Sequence, residues 1–415
     1  MPENFSTTQR TTSIVALNAV STLSQIGQFG LGTTLLPIAL EARHATPELI
    51  GLTSAAFWFG MLGGLLVAGQ LTRSLGYRNT VILGLLISGI SFVLIPLMGI
   101  EWWILPAAAV GFGLGLRWIA NETWLYRLSP ADARGRIIGI HETLIAVASV
   151  AGPMIIVALG VDNPRAFWVA AAACIMAVAP LFMAVTIAAI DSSPVEPEIK
   201  SNAEKLAQSQ VKIAAVSTEP SPANDRLDKG IVPRLAFWLG LGGLIAGLGG
   251  WIEGSLLALL PVYVSDAGLA STDTAWLLTV MGIGAVVCQY PIGWLSDHKG
   301  VLYTAKLCTA FGMAAVIVAL TGGHHLPALA VMAFLVGGMG GGLLTLGMVW
   351  ATQHGTGSAI TDRVRQVSIV YTTLSALGPM CAGFIISHTS SASLFWQQLA
   401  VMLVLSAVLL IQKKD

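Results

Sequence analysis

Gly293-Trp294-Leu295-Ser296-Asp297-His298-Lys299-Gly300 is a short charged segment between two long apolar runs. A weaker copy, Gly69-Gln70-Leu71-Thr72-Arg73-Ser74-Leu75-Gly76, lies 224 residues earlier (293 − 69 = 224). Glycines at both ends of each copy allow the backbone to turn sharply. The acid of the second copy can lie near the positive N-terminus of the helix that follows. The segment therefore predicts a tight turn between two membrane helices, once in each half of the chain.

The composition excludes a water-soluble globular protein. The chain has 415 residues, of which 55% are hydrophobic and only 10% are charged, and its mean hydropathy is +0.78. Soluble domains are about one quarter charged. A net charge of zero argues against nucleic acid as a partner. We expect no cofactor and no metal, because the cysteines lie in apolar runs without metal-ligand spacing, at Cys174, Cys288, Cys308 and Cys381.

Apolar stretches of about 20 residues, long enough to cross a bilayer, recur along the chain. We predict an all-α polytopic membrane protein with 12 transmembrane helices arranged as two parallel six-helix repeats. The N-terminal bundle covers 1–190, a flexible linker covers 191–233, and the C-terminal bundle covers 234–415. The linker is rich in Ser, Pro, Glu and Lys. The predicted spans are 13–40, 49–72, 79–99, 102–128, 136–160, 166–190, 234–264, 272–295, 302–321, 326–353, 365–388 and 392–411.

Other segments repeat at nearly the same offset as the turn. Leu35-Leu36-Pro37 matches Leu259-Leu260-Pro261 (261 − 37 = 224), and the segment 149–154 matches 375–380 through its Gly-Pro pair (378 − 152 = 226). Each half has an even number of spans, so both halves share one orientation in the membrane, as in transporters built from parallel repeats.

The distribution of Lys and Arg predicts the orientation. Positive residues accumulate in cytoplasmic loops. With the N-terminus inside, the opposite side holds only Arg43 and Arg165. The cytoplasmic side then holds the linker bases and Arg10, Arg73, Arg78, Arg127, Arg134, Arg136, Lys299, Lys306, Arg363, Arg365, Lys413 and Lys414. We expect both termini in the cytoplasm of a bacterium and the chain in its inner membrane.

The turn resembles the loop between the second and third helices of each half in the major facilitator superfamily, and the resemblance covers essentially the whole chain. The first copy departs from the family, since Arg73 stands where an acid is expected. The resemblance assigns a gating role in these loops to Gly69, Gly76, Arg78, Gly293, Asp297 and Gly300. The chain is most similar to the bacterial YcaD-like branch, through the segments 254–256, 260–263, 289–293 and 134–136.

Two Gly-Pro pairs, Gly152-Pro153 and Gly378-Pro379, predict kinks in the fifth and eleventh helices, because proline removes a helical hydrogen bond. A Gly-Pro pair in the fifth helix resembles the antiporter signature of the family. The glycine pair that follows it in that signature is replaced here by Ile156 and Val157. Export and a generic kink are both open readings of this pair.

Glu253 is the deepest acid in the predicted membrane spans, and no basic residue lies within one helical turn of it. Ionisable groups in hydrocarbon are costly and mark candidate functional sites. One interpretation is a proton-coupling or substrate-cation site. The alternative is a carboxyl that is protonated or bonded to a neighbouring helix. Further proton-coupling candidates are Glu122 and Glu142.

A second charged group is predicted at similar depth in the fourth and fifth helices. Arg117, Glu122, His141 and Glu142 form a cluster that either lines the inner cavity or joins the two helices through salt bridges. Asn121 shares the helix face of Arg117 at spacing i,i+4. Together with polar residues on other helices, the substrate-cavity candidates are Gln25, Gln28, Arg117, Asn121, His141, Tyr263, Gln289 and Tyr371.

These features favour a secondary transporter of a small organic solute that works by alternating access, coupled to protons, with efflux favoured over uptake. A lipid or lysolipid flippase of the same fold is the alternative. A membrane enzyme or sensor is disfavoured, since the sequence has no phosphate loop, zinc-protease motif or catalytic-triad spacing. The expected partners are the solute, the proton and the bilayer. A monomer is expected because one chain contains both halves.

Overall fold

Each long apolar segment forms a helix, since a helix satisfies every backbone polar group internally where no water is available. The structure is a computed structural model that describes residues 6–130, 133–160, 164–187, 231–322, 325–353 and 358–412. Helix α1 runs over Thr7–Glu41 and contains a π-helical stretch, Ile26–Leu31, before its last part, Leu35–Glu41. The next five are α2 (47–75), α3 (77–94), α4 (Ile104–Leu128), α5 (Arg134–Leu159) and α6 (Arg165–Met176). The last six are α7 (Ile231–Asp266), α8 (Ser271–Lys299), α9 (Val301–Gly322), α10 (Leu326–Gln353), α11 (Ser358–His388) and α12 (Ser393–Ile411).

The twelve-helix prediction is confirmed, although the described residues show 11 continuous helical segments long and apolar enough to span a membrane. One of these segments, Pro47–Leu97, has 51 residues and contains two helices. Gly76 separates α2 from α3 with φ 80° and ψ 164°. A single residue in this conformation reverses the chain direction without a loop.

The predicted turns form, but only one glycine of each copy makes them. Gly76 and Gly300 have φ of 80° and 86°, a region that side chains rarely adopt. Gly69 and Gly293 lie inside α2 and α8, because both helices continue to the turn itself. Beyond the first turn, Nη2 of Arg78 donates to the carbonyl oxygen of Ala184 at 2.6 Å and so ties α3 to the segment after α6. The Asp297 and Arg73 side chains are exposed.

Three predicted boundaries are wrong. The sixth helix ends at Met176 instead of residue 190 and is followed by a 3₁₀ helix, Ala179–Met183, because Pro180 cannot continue the α-helical hydrogen bonding. Helix α7 is interrupted at Gly240, where φ is 63°. Helix α11 begins at Ser358, seven residues earlier than predicted (365 − 358 = 7). The predicted linker lies outside the described residues up to position 230.

In the N-terminal half, α1 and α5 cross at two glycines. A Cβ on Gly152 would collide with the backbone of Gly30. Pro153 has no amide hydrogen, so the carbonyl of Ser149, four residues earlier, loses its helical partner. That carbonyl oxygen lies 3.0 Å from the position a Cβ on Gly30 would take. The predicted kink is therefore also the contact point of the two helices.

The C-terminal half repeats this crossing between α7 and α11. A Cβ on Gly254 would collide with the carbonyl oxygen of Ser375, the group that Pro379 leaves without an amide partner. A Cβ on Gly378 would lie 2.6 Å from the carbonyl oxygen of Trp251. Gly254 corresponds to Gly30 (254 − 30 = 224), and Ser375 corresponds to Ser149 (375 − 149 = 226). These are the offsets of the sequence repeat.

The two halves meet most closely near one end of the molecule. We call this the distal end; it carries residues 41–47, 266–271 and 388–393, and the opposite, proximal end carries Gly76 and Gly300. Here α2 contacts α11, where a Cβ on Gly51 would collide with the Pro379 carbonyl and one on Gly383 with the Pro47 carbonyl. His388 Nδ1 lies 3.7 Å from Glu48 Oε1. Close backbone contact between α2 and α11 therefore joins the halves at the distal end.

Candidate functional site

A cavity of about 170 Å³ lies between the two halves. Its walls come from α1 and α5 of the N-terminal half and from α7, α8 and α10 of the C-terminal half. Five of its nineteen lining residues are polar, and only Glu253 is ionisable. The lining residues are Phe29, Thr33, Thr34, Ala146, Ser149, Val150, Pro153, Glu253, Leu257, Leu278, Met281, Gly282, Ala285, Val286, Gln289, Val336, Gly337, Gly340 and Gly341.

Glu253 faces this cavity and is bonded to a neighbouring helix. The hydroxyl of Tyr371 in α11 donates a hydrogen bond to Glu253 Oε2 at 2.7 Å. The two residues approach because the α7–α11 crossing has no side chains in the way. A Cβ on Gly250 would lie 2.7 Å from the Tyr371 carbonyl oxygen. The glycines beside Glu253 thus bring the tyrosine within hydrogen-bond reach of the acid.

Tyr371 also connects the acid to the other half. Its ring lies 6.2 Å from the ring of Trp58 in α2, nearly perpendicular to it at 88°. Trp58 in turn makes edge contacts with Phe57 and Phe29, the latter a cavity residue. A movement of Tyr371 would therefore disturb the packing of aromatic residues in the N-terminal half.

Arg117 does not line this cavity. It is 1% exposed within the N-terminal half, where its Nε donates to Gln28 Oε1 at 3.0 Å and its Nη2 donates to Gln25 Oε1 at 2.9 Å. The two glutamines are buried as well, and their amides donate to Ser88 and Ser149. Gln28 lies in the π-helical stretch of α1, a local distortion that is frequent at functional sites. Three predicted cavity residues thus form a buried polar clamp between α1 and α4.

Asn121 and His141 are likewise buried against α1. Asn121 Nδ2 donates to the Leu17 carbonyl at 3.1 Å and to Ser21 Oγ at 2.7 Å. His141 Nδ1 lies 2.9 Å from Asn18 Oδ1. Because Asn18 Nδ2 already donates to the Ile14 carbonyl, the imidazole is the donor in this pair. Both residues join helices, and neither lines the cavity.

The four members of the predicted charge cluster lie near one another, since Arg117 interacts electrostatically with Glu122 and His141. Arg117 is held by glutamines, while Glu122 is half-buried and Glu142 is exposed. The two carboxyls lie close enough to interact electrostatically with each other. Neither lines the cavity that holds Glu253. Arg117 and His141 are also not among the residues that line this cavity.

Of two further cavity candidates, Gln289 lines the cavity and Tyr263 does not. Gln289 lines the cavity and donates from Nε2 to Thr345 Oγ1 at 3.3 Å. Tyr263 is 5% exposed and packs on Phe395 with ring centroids 4.6 Å apart, away from the cavity. Sequence reasoning did not single out the lining residues Thr33, Thr34 and Ser149. Ser149 could have been singled out from the sequence, since it belongs to the repeated segment that matches 375–380.

The polar groups of the two halves are not equivalent. By the repeat offsets, Gln25 corresponds to Gly249 (249 − 25 = 224) and Arg117 to Leu343 (343 − 117 = 226). A Cβ on Gly249 would lie 2.9 Å from Leu343 Cβ, so the same two positions touch in the C-terminal half without any polar group. Glu253 corresponds to Phe29 (253 − 29 = 224). The buried arginine belongs to one half and the cavity acid to the other.

The sequence model of the Major Facilitator Superfamily matches residues 17–298 and 239–415. The chain belongs to the major facilitator superfamily. The resemblance to the YcaD-like branch is also confirmed. An uncharacterized MFS-type transporter of Yersinia enterocolitica is 24% identical over 392 residues, 92% of this chain and 91% of that protein. The uncharacterized MFS-type transporter YcaD of Escherichia fergusonii is 24% identical, covering 87% of this chain and 86% of its own.

Solved transporters share the fold of this superfamily member at low sequence identity. The nucleoside transporter NupG aligns with a TM-score of 0.72 and 11% identity over 96% of this chain and 99% of its own. A D-xylose–proton symporter aligns with a TM-score of 0.67 and 15% identity over 96% and 97%. The chain is a multi-pass membrane protein and, as a member of this superfamily, a secondary transporter of a small molecule rather than an enzyme.

Proposed function

We propose that this transporter exports a small, weakly polar organic solute in exchange for protons and that Glu253 carries the proton. The observation that supports this most is the position of Glu253 in the wall of the cavity between the halves, with Tyr371 as its hydrogen-bond donor. A carboxyl that borders the solute cavity can lose its proton when the solute binds. The solute and the proton then compete for one group, which couples their movements.

Alternating access suits the arrangement of the two halves. Their tightest contact is at the distal end, where the backbones of α2 and α11 meet. Gln289, an exposed cavity residue, lies in the part of α8 nearer the proximal end. We assign the proximal end to the cytoplasm, following the distribution of Lys and Arg. Rocking of the halves about the distal contact would then expose Glu253 to each side in turn.

The composition of the cavity walls supports export over uptake. A solute taken up selectively needs several fixed polar partners, whereas the cavity offers mainly Gly, Ala, Val, Leu and Met. The Gly152-Pro153 pair agrees with export, although the rest of the antiporter signature is replaced. That the D-xylose–proton symporter has this fold supports proton coupling within it. The flippase alternative fits less well, because 170 Å³ is small for a molecule with an acyl chain.

The proposed function is tested with purified protein in proteoliposomes that contain a pH-sensitive dye. Outward gradients of drugs, sugars, amino acids and siderophores are imposed in turn, and the internal pH is recorded. We expect at least one class of weakly polar solute to cause a proton flux opposite to its own movement. Proton flux in the same direction as the solute would indicate uptake, and solute flux without proton movement would refute proton coupling.

Filling the cavity beside Glu253 should stop transport without unfolding the protein. The nearest neighbour of a Cβ on Gly340 is Glu253 Cβ at 3.9 Å, so Gly340→Leu has room for its first atoms and extends into the cavity. We expect solute flux to fall at least about tenfold while the elution profile and melting temperature stay near those of the wild type. The matched variant is Gly337→Ala in the same helix, whose Cβ would collide with the Met281 carbonyl and which should fold poorly. Wild-type flux through Gly340→Leu would place the solute path elsewhere.

A further inference from the structure

A second pocket, of about 450 Å³, lies at the proximal end, away from the Glu253 cavity. It is formed where the first two turns of α1 meet the end of α4 and the start of α5. The residues that line it are Thr7, Arg10, Thr11, Ile14, Pro130, Ala133, Arg136 and Ile137. Residues 7, 11 and 14 share one face of α1 at helical spacing. The pocket is thus a crevice between two helix ends.

The polar side chains of this pocket are two arginines, which only donate hydrogen bonds, and two threonines, which can donate and accept. Arg10 and Arg136 each contribute a guanidinium, and Thr7 and Thr11 contribute hydroxyls. Arg10 Nε is buried and has no hydrogen-bond partner among the groups that the structure describes. No acid lines the pocket within the described ranges. Arg10 is half-buried and Arg136 is exposed, and the two guanidinium groups give the pocket a positive charge that is suited to an anion that is not part of the chain.

The N-terminus of α5 also favours an anion in this pocket. Its N-cap residue is Ala133, whose side chain makes no cap hydrogen bond to the first-turn amides. In sequence, the segments that form the pocket carry Arg10, Arg134 and Arg136 against Asp132, a net charge of +2 (3 − 1 = 2). Paired guanidinium groups beside a helix N-terminus are suited to phosphate.

The membrane-facing side of the pocket is apolar. Ile14 and Ile137 line it. Val15, the residue after Ile14, is 63% exposed, and Ile140, three residues after Ile137, is 52% exposed. A soluble phosphate would have no use for this apolar border, whereas a phospholipid would place its acyl chains there and its headgroup on the arginines. Basic pockets between helices at the cytoplasmic surface bind anionic headgroups in this manner.

We propose that this pocket binds the phosphate of an anionic phospholipid from the leaflet at the proximal end, between Arg10 of α1 and Arg136 of α5. The bound lipid would join the first helix to the start of the fifth across the pocket. This site is independent of the transported solute and of the proposed role of Glu253.

The test measures lipid binding by the full chain in detergent, by native mass spectrometry and by thermal unfolding, with phosphatidylglycerol, phosphatidylcholine or inorganic phosphate added. We expect the wild type to retain phosphatidylglycerol and to be stabilised by it more than by the other two. In the double variant Arg10→Gln/Arg136→Gln, the affinity for phosphatidylglycerol should fall about fivefold for each arginine. The matched control is Arg363→Gln/Arg365→Gln, which removes two exposed arginines near the proximal end of α11 and should bind as the wild type does.

Equal losses in the two double variants would overturn the proposal, because they would show a general charge effect. Stabilisation by inorganic phosphate as strong as that by phosphatidylglycerol would also overturn it, in favour of a soluble phosphate compound. If the variant at Arg10 and Arg136 folds poorly, Arg10→Lys/Arg136→Lys keeps the charge. Retained lipid binding in this variant supports the site, and its loss despite normal folding shows that charge alone is insufficient and counts against it.

Discussion

Glu253→Gln should uncouple transport from protons while leaving the protein folded. Glutamine keeps the size of the side chain and can still accept the hydrogen bond that Tyr371 donates at 2.7 Å, but it cannot exchange a proton. We expect proton flux driven by a solute gradient to fall by about two orders of magnitude or more, as when a positioned proton-transfer group is removed. Exchange of labelled for unlabelled solute across the membrane needs no net proton movement and should persist.

The measurement compares these two readouts in the same proteoliposomes. Glu101→Gln is the matched control, since it removes an exposed acid that does not line the cavity and is not a coupling candidate. Tyr371→Phe removes only the hydrogen-bond donor, so it should shift the pH dependence of flux and retain coupling. If Glu253→Gln still moves protons at the wild-type rate, Glu253 is not the coupling group. Glu122 and Glu142 would then become the remaining candidates.

Gly152→Ala should destabilise the N-terminal half more than any conservative change in its loops. The added Cβ would collide with the backbone of Gly30, and neither kinked helix can move away without disturbing the α1–α5 crossing. Overpacking a well-packed interior lowers the free energy of unfolding by about 1–3 kcal/mol. Because the collision here is with backbone atoms, we expect a loss at or above the upper end of that range. We expect a clear fall in melting temperature and in the yield of monodisperse protein.

Gly139→Ala provides the comparison within the same helix. A Cβ at Gly139 has no heavy atom within 4 Å, and alanine favours helix more than glycine does. This variant should be as stable as the wild type or slightly more so. Unchanged stability of Gly152→Ala in the same thermal assay would mean that the two helices do not approach as closely as the structure indicates.

The fold could be predicted from the sequence because the bilayer requires each span to have a certain length and hydropathy. Length and hydropathy locate a membrane helix without knowledge of its neighbours. The turn at Gly76 was predictable because a glycine at a sharp turn acts locally, whereas Gly152-Pro153 predicted a kink but not the contact of α5 with α1. The end of α6 at Met176 was missed, since Pro180 lies inside an apolar run that hydropathy alone continues to residue 190.

Only part of the site could be predicted from the sequence, because its contacts depend on how each helix is rotated about its axis. Glu253 was found as an acid without a basic neighbour, and Tyr371 was named, but their bond joins residues 118 positions apart. Gln25 and Gln28 share a helix face, as expected, yet that face meets Arg117 and not the cavity. Likewise, nothing in the segment 337–342 distinguishes the packed Gly337 from the open Gly340.

The division of polar groups between the halves also bears on how an internally repeated transporter specialises. Gln25 and Arg117 are matched by Gly249 and Leu343, and Glu253 is matched by Phe29. A chain made of two N-terminal halves would keep two buried clamps but no ionisable group in the cavity, and one made of two C-terminal halves would place two acids there and no clamp. Neither half is a spare copy of the other: the first contains the buried polar clamp, and the second contains the cavity acid.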